Sequence, residues 1–168
     1  LSTGSLKNVP DGVGFIEGNI LNDADLTKTF ESDTFDVVFH FAALKAAGES
    51  MDEPGKYAHH NITGSINILN AMVKYDVMKI IFSSSAAVYG YPEYLPIDEN
   101  HTTKPINFYG FTKLEIERIL KWYSQLKDIR FAALRYFNAA GYDVKGRINE
   151  MESNCANLLP IVMETAVG

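Results

Sequence analysis

The chain has 168 residues, of which 46% are hydrophobic and 21% charged, an ordinary composition for one globular domain with a real core. Its net charge of −6 argues against nucleic acid or an anionic membrane as partner, and no apolar run approaches the ~20 residues that cross a bilayer. The single cysteine, Cys155, excludes a disulfide within this sequence and fits a reducing, cytoplasmic location. We expect no nucleic-acid partner and no membrane partner.

The first forty-two residues predict two strands and a helix. Residues 1–12 are polar and rich in turn formers, and their start lacks the charged-then-apolar pattern of a signal peptide. Residues 15–20 are predicted to form a short strand that ends in a polar loop. Residues 24–31 are predicted to form a helix, with Asp23 as a plausible N-cap. The apolar run at residues 35–42 is typical of a strand that is covered on both faces.

The remainder of the chain continues to alternate helices with strands. Apolar residues at helical spacing predict a long helix over residues 57–75, and a proline-containing loop is predicted over residues 90–104. The other predicted elements are strands at residues 79–84 and 131–137, and helices at residues 112–126 and 158–167, the last with Pro160 in its first turn. This alternation favours an α/β fold with a doubly wound parallel sheet.

Small or polar residues follow each predicted strand. Ligands of such sheets bind beyond the carboxyl ends of the strands, so these residues are candidates for a binding site. They are Asn19 after the first strand, residues 41–45 after the second, residues 83–85 after the third, and Phe137 with Asn138 after the fourth.

Tyr109 and Lys113 form the most informative pair in the sequence. They stand at positions i and i+4 of a predicted helix and therefore lie one above the other on the same face. A free tyrosine has a pKa near ~10, and a nearby cation favours its phenolate. Such a pair with an upstream serine can remove a proton from a substrate alcohol. A surface tyrosine and lysine can also fall four apart by chance, and the upstream serines shift the balance toward catalysis.

Several longer motifs resemble the extended short-chain dehydrogenase/reductase family. They are the S-S-S-A-A-V-Y-G stretch at residues 83–90, the Tyr109/Lys113 pair, and R-Y-F-N at residues 135–138. The H-F-A-A-L-K-A-A-G-E-S stretch at residues 40–50 and A-N-L-L-P at residues 156–160 are similar to the UDP-glucose 4-epimerases within that family. The resemblance implies a Rossmann-like fold, NAD as cofactor, and interconversion of UDP-glucose and UDP-galactose by transient oxidation at sugar C4.

The same resemblance implies the roles of individual residues. Tyr109 would be the catalytic base, Lys113 its electrostatic partner and a ligand of the nicotinamide ribose, and Ser85 a hydrogen-bond partner of the substrate hydroxyl. The implied cofactor contacts are Asn19, Ile20, Phe41, Ala42, Lys45, Asn61, Ser83, Tyr109, Lys113 and Phe137. The implied UDP-sugar contacts are Lys45, Ser85, Tyr109, Asn138, Asn157 and Leu158.

A glycine-rich turn for the dinucleotide pyrophosphate is not recognisable. Gly12, Gly14 and Gly18 are the nearest match, but their spacing is G-x-G-x-x-x-G and they precede a strand-like segment, so we interpret them as a loop. The resemblance places the first β-α-β unit before Leu1 and most of the substrate domain after Gly168. Residues 1–150 would then be a partial NAD-binding domain with the Ser/Tyr/Lys set, and residues 151–168 the start of a substrate-binding region. We expect this portion alone to be inactive.

Two departures and several alternatives remain open at this point. Asn19 stands where the family commonly has an aspartate, and His59 and His60 replace an asparagine found in some members. Adjacent histidines on a helix point apart, so no metal site is expected.

Another nucleotide-sugar enzyme is possible, such as an N-acetylhexosamine epimerase, a pentose epimerase or a dehydratase. A dehydratase of this family needs an acidic pair after the third strand, where this chain has Ser-Ala-Ala at residues 85–87. A truncated, non-catalytic binding protein is a further alternative. The resemblance also implies a homodimer that pairs through helices 57–75 and 112–126.

Overall fold

The computed structural model describes residues 5–139 together with residues 145, 162 and 165. The chain divides into two compact units, of which one is Gly18–Phe137 and the other combines Leu1–Glu17 with Asn138–Gly168. In the latter, a short 3₁₀-helix at Leu6–Asn8 begins at Ser5, whose hydroxyl accepts a hydrogen bond from the Lys7 amide. Within the predicted helix at residues 158–167, Val162 and Thr165 are described and both are helical. Pro160 and the predicted substrate contacts Asn157 and Leu158 lie outside the described residues.

A three-stranded parallel sheet forms the centre of the Gly18–Phe137 unit. Its strands are β1 (Val38–His40), β2 (Lys79–Ser85) and β3 (Arg130–Tyr136), in the spatial order β1-β2-β3. Both pairs are parallel. Because all three strands run the same way, their carboxyl ends meet at one edge of the sheet. The predicted α/β fold with a parallel sheet is confirmed.

Five α-helices surround these strands in the described part of the chain. They are α1 (Asp23–Glu31), α2 (Glu49–Asp52), α3 (Pro54–Tyr57), α4 (Gly64–Lys74) and α5 (Phe108–Lys127). A π-helical turn, Ala58–Thr63, joins α3 to α4. The long helix predicted over residues 57–75 is therefore interrupted around Asn61. Such π turns occur frequently at functional sites.

The hydrophobic core lies between the sheet and helices α1, α4 and α5. Each large side chain that is fully buried here contributes roughly 1.5–3 kcal/mol relative to an exposed one. The largest of them are Leu69 and Met72 of α4, Phe82 of β2, Ile116 and Leu120 of α5, and Ile129 just before β3.

The structure corrects three details of the sequence prediction. Residues 15–20 form no strand, and none of the described strands is hydrogen-bonded to them as a sheet partner. The strand predicted at residues 35–42 is reduced to β1, since only Val38–His40 pair with β2. The N-cap of α1 is Asn22, whose side-chain oxygen accepts from the Ala24 amide at 2.9 Å, and Asp23 is instead the first helical residue.

None of the described helices combines the length and the apolar character that a bilayer crossing requires.

Candidate active site

Tyr109 lies in the first turn of α5, where backbone amides have no partner within the helix. The hydroxyl oxygen of Ser50 supplies one, since it accepts a hydrogen bond from the Tyr109 amide at 2.9 Å. Ser50 is fully buried and donates its own proton to the carbonyl oxygen of Ala47 at 2.6 Å. The segment that follows β1 therefore fixes the position of Tyr109. The sequence analysis gave Ser50 no role of its own.

Lys113 lies one turn further along α5 and is almost completely buried. Its Nζ donates a 2.8 Å hydrogen bond to the carbonyl oxygen of Ser83 and lies 4.9 Å from the centroid of the Phe82 ring. Burial lowers the pKa of Lys113 to about 8. No carboxylate within residues 5–139 forms an ion pair with it. An ammonium carries three N–H donors, so Lys113 keeps donors for a ligand.

Ser85 ends β2 beside the phenol of Tyr109. Its hydroxyl oxygen accepts from the Ala87 amide at 3.2 Å, which caps the 3₁₀-helix Ala86–Val88. The same hydroxyl lies near enough to the Tyr109 phenol to favour its ionised form. Ser85 thus caps this turn beside Tyr109, and its hydrogen bond to the substrate hydroxyl stays a prediction.

Burial raises the pKa of Tyr109 above its ordinary value. The role of Lys113 as the cation that acidifies the phenol stays a prediction. The opposing influences are the Ser85 hydrogen bond and the charge of Lys45. Lys113 Nζ lies 5.7 Å from the centroid of the Tyr109 ring, with its hydrogen bond directed to Ser83. Tyr57 is a further titratable neighbour of Tyr109.

Asn61 braces the loop that follows β1. Its side-chain oxygen accepts from the Leu44 amide at 2.8 Å, and its side-chain nitrogen donates to the Leu44 carbonyl at 3.0 Å and to Thr112 Oγ1 at 3.1 Å. Thr112 in turn donates to the Tyr109 carbonyl at 2.7 Å. Because Asn61 is fully buried and its amide is occupied, its side chain is a brace between this loop and α5. The resemblance implies such a bracing role for this asparagine, and its direct contact with the cofactor stays a prediction.

Other predicted site residues lie at the carboxyl edge of the sheet. Phe41, 62% exposed, and the exposed Ala42 follow β1, and Phe137, 64% exposed, follows β3. Lys45 is exposed in the loop that Asn61 braces. Ser83 is half-buried and contributes the carbonyl oxygen that Lys113 contacts.

Two predicted cofactor contacts, Asn19 and Ile20, have other partners in the structure. The side-chain oxygen of Asn19 accepts from the Leu21 amide at 3.0 Å and so stabilises its own turn. Ile20 packs against the core, and its carbonyl oxygen accepts from Asn67 Nδ2 at 3.1 Å. Asn138 is exposed and belongs to the other unit.

The structure also reveals a buried ion pair that the sequence analysis missed. Glu117 of α5 is paired with Arg135 of β3, whose Nη2 lies 2.7 Å from Glu117 Oε2 and whose Nε lies 3.0 Å from Oε1. The hydroxyl of Ser84 donates to the same carboxylate. One signal could have found Glu117: it follows Lys113 by four residues, and therefore lies on the same helix face.

The site is thus an acid–base arrangement at the carboxyl edge of a parallel sheet. A phenol, a serine hydroxyl and a buried ammonium converge there, which suits the exchange of a proton with a substrate alcohol. No group of three or more potential metal ligands occurs within the described residues.

Known proteins resemble this chain over almost all of its length. The UDP-glucose 4-epimerase of Halalkalibacterium halodurans is 44% identical over 156 residues, which are 93% of this chain and 47% of that protein. The crystal structure of UDP-glucose 4-epimerase from Brucella ovis in complex with NAD matches with a TM-score of 0.94 at 42% identity, covering 99% of this chain and 51% of that one. The corresponding structure from Bifidobacterium longum in complex with NAD+ and UDP gives 0.84 at 40% identity, covering 90% and 46%.

The chain therefore spans about half the length of the relatives that it matches. The sequence pattern of the NAD dependent epimerase/dehydratase family matches residues 1–165. Together with the parallel sheet and the high structural similarity over the whole chain, this match establishes that the chain belongs to the NAD dependent epimerase/dehydratase family.

Proposed function

We propose that the full-length protein interconverts UDP-glucose and UDP-galactose by transient oxidation at sugar C4, with NAD as its cofactor. One observation carries this proposal: the Tyr109 phenol stands beside the Ser85 hydroxyl and one helical turn from the buried Lys113 ammonium. The relatives named above, which are UDP-glucose 4-epimerases, support the choice of substrate.

The residues at the sheet edge fit a dinucleotide. Lys113 offers N–H donors from a buried position, which suits the hydroxyl groups of a ribose. Asn61 holds the loop after β1 by both backbone groups of Leu44, and the small side chain of Ala42 lets a ligand approach that backbone. The exposed ring of Phe137 adds an apolar surface at the end of β3. When bound, NAD supplies a hydride acceptor and donor at its nicotinamide ring.

Tyr109 would take the proton of the C4 hydroxyl, with Ser85 as a hydrogen-bond partner of the same oxygen. A general base must reach that proton within hydrogen-bonding distance, and a phenolate is the competent form. Burial opposes the phenolate, whereas Ser85 and Lys45 favour it. Lys45 therefore adds charge at the required place, and Lys113 orients the end of β2 through the Ser83 carbonyl.

We further propose a cytoplasmic homodimer. The exposed fractions of the apolar α5 residues Phe111, Trp122 and Leu126 are 40%, 62% and 68%, and large apolar residues at a surface are typical of an interface. Light scattering behind size exclusion tests the oligomeric state of the full-length protein. We expect a dimer that Trp122→Glu weakens, whereas a monomeric wild type would contradict it.

The proposed activity is tested by incubating the full-length protein with UDP-galactose and NAD and following the anomeric proton signals by NMR. We expect conversion to UDP-glucose until both sugars reach equilibrium. UDP-N-acetylglucosamine is assayed in parallel, because an N-acetylhexosamine epimerase is the nearest alternative. Exclusive turnover of that substrate would replace the proposed one. If neither sugar reacts in protein saturated with NAD, a binding function without catalysis gains support.

A further inference from the structure

Three titratable side chains occupy successive turns of one face of α5. They are Tyr109, Lys113 and Glu117, spaced four residues apart. The first two belong to the candidate active site, and the third has no part in the proposed chemistry. Glu117 is nevertheless only 4% exposed and is held by the guanidinium of Arg135 through two parallel contacts. Such fork geometry restricts orientation more than a single contact does.

Ser84 connects this ion pair to the active site. Its hydroxyl donates to Glu117 Oε1, and it lies between two residues that contact the site. The carbonyl oxygen of Ser83 accepts the hydrogen bond of Lys113, and the hydroxyl of Ser85 lies beside the Tyr109 phenol. Side chains alternate along a strand, so Ser84 faces opposite to Ser83 and Ser85, and is the buried member of the three. Anchoring Ser84 therefore constrains both neighbours without any contact to a ligand.

We propose that Glu117 is a positioning residue: together with Arg135 it holds the Ser84 hydroxyl, and thereby fixes the end of β2 so that the Ser83 carbonyl meets Lys113 and the Ser85 hydroxyl meets Tyr109. Its catalytic consequence rests on the proposed function. Stability alone is a poor explanation for the pair, because desolvation offsets much of the attraction between buried charges. The pair joins α5 to β3, and the Ser84 hydroxyl ties β2, the neighbour of β3 in the sheet, to the same carboxylate.

The mildest disruption is Ser84→Ala, because it removes one hydroxyl and leaves the Glu117–Arg135 pair intact. In the full-length protein we expect kcat to fall by about 10- to 100-fold, since small displacements of catalytic groups have effects of this size. KM for UDP-galactose should change little. Glu117→Gln should act in the same direction. Glu115→Gln is the matched control, because it removes a carboxylate of the same helix whose partner is the surface residue Arg118.

A second readout does not depend on activity. Labelling the tyrosine ring carbon Cζ allows the Tyr109 titration to be followed by NMR, with the signal assigned from Tyr109→Phe. The midpoint should rise in Ser84→Ala, because the Ser85 hydrogen bond that favours the phenolate is weakened. Lys45, Lys113 and Tyr57 are the other charged or titratable groups near Tyr109, and Ser84→Ala replaces none of them.

A double variant separates positioning from stability. In a Ser85→Ala background the hydroxyl through which Ser84 acts on Tyr109 is gone, so Ser84→Ala should no longer move the Tyr109 midpoint. An unchanged midpoint in the single variant would overturn the proposal, as would an equal shift in both backgrounds. If the wild type lacks epimerase activity, the proposed function fails, whereas the titration still decides whether Glu117 and Ser84 position Ser85.

Discussion

The Lys113 ammonium lies 5.7 Å from the centroid of the Tyr109 ring and donates its hydrogen bond to the carbonyl oxygen of Ser83. From the i, i+4 spacing alone, one would assign Lys113 both the contact with β2 and the electrostatic effect on Tyr109. Lys113 ties α5 to the end of β2, and the charge of Lys45 partly opposes the burial that raises the pKa of Tyr109. Lys113 performs this role as a buried cation, which has a cost in stability.

Replacing Lys113 with methionine should stabilise the full-length protein at neutral pH. Burial lowers the pKa of Lys113 from 10.5 to about 8, so keeping it charged costs the folded state about 3 kcal/mol at pH 7. The lost hydrogen bond and cation–π contact offset about 1–2 kcal/mol of the gain. Between about pH 8 and 10.5 the unfolded chain holds a proton that the folded one has released. Wild-type stability therefore rises with pH, and the advantage of Lys113→Met shrinks.

Urea unfolding at pH 7 and pH 9.5 measures this difference, and Lys121→Met is the matched control on the exposed face of α5. The control should show neither the gain nor its pH dependence. An advantage of Lys113→Met that stays constant with pH would show that methionine acts through packing alone. Turnover of the same variant should fall, because Ser83 loses the contact that fixes it.

Tyr109→Phe should reduce turnover by at least ~10²-fold, the usual low end for the loss of a general base. Binding of the nucleotide sugar should change little, because the ring and its packing remain. Steady-state kinetics and calorimetry with UDP measure the two effects separately. Tyr91→Phe, at a tyrosine that is 78% exposed, controls for the loss of a phenol elsewhere. Near-normal turnover of Tyr109→Phe would exclude Tyr109 as the base.

Local sequence patterns predicted much of the fold but not the bonds that organise the site. The apolar runs located β2 and β3 to within one residue, because both strands have pairing partners along their length. The apolar run at residues 35–42 predicted a strand longer than β1, because strand length depends on pairing with β2 and the run itself carries no information on that partner. The Tyr109/Lys113 spacing predicted that the two side chains lie on one face of α5, as they do. The direction of the Lys113 hydrogen bond and the Glu117–Arg135 pair depend on tertiary contacts between distant segments.

His40 should make the protein less stable below neutral pH. Burial, assisted by the charge of Lys113, lowers the pKa of His40 to about 4, so the folded state keeps this imidazole neutral. Its Nε2 donates to Ser65 Oγ at 2.8 Å, since the Ser65 proton is donated to the Asn61 carbonyl. As pH falls from 6.5 toward 4, the unfolded chain gains a proton that the folded one does not. The free energy of unfolding should drop by about 2 kcal/mol between pH 7 and pH 5 through this group.

His40→Gln retains a donor and has no titration in this range, so its stability should depend less on pH between 7 and 5. Thermal unfolding of both proteins at the two pH values measures the difference. His59→Gln is the control, because His59 is exposed in the π-helical turn. If wild type and His40→Gln lose the same stability over this interval, His40 is not the group responsible.

The close approach of α5 to the end of β2 should make Gly110 intolerant of even one methyl group. A Cβ at Gly110 would lie 2.5 Å from the carbonyl oxygen of Ala87 and 3.0 Å from its carbonyl carbon. Backbone atoms cannot rotate away as a side chain does, so the 3₁₀-helix that follows Ser85 would have to move. We expect Gly110→Ala to cost about 1–3 kcal/mol of stability, as overpacking does, and to lower kcat through Ser85.

Two other glycines provide graded controls for this prediction. A Cβ at Gly64 would also fall 2.5 Å from an atom, but that atom is Ile20 Cδ1, the mobile end of a side chain. Gly64→Ala should therefore cost less than Gly110→Ala. Gly55 has open space around its Cβ position and lies in α3, so Gly55→Ala should stabilise the protein by about 0.5–1 kcal/mol. Thermal unfolding and kcat of the three variants test this order. If Gly110→Ala is as stable and active as Gly55→Ala, then the contact between α5 and Ala87 is not as close as the structure shows.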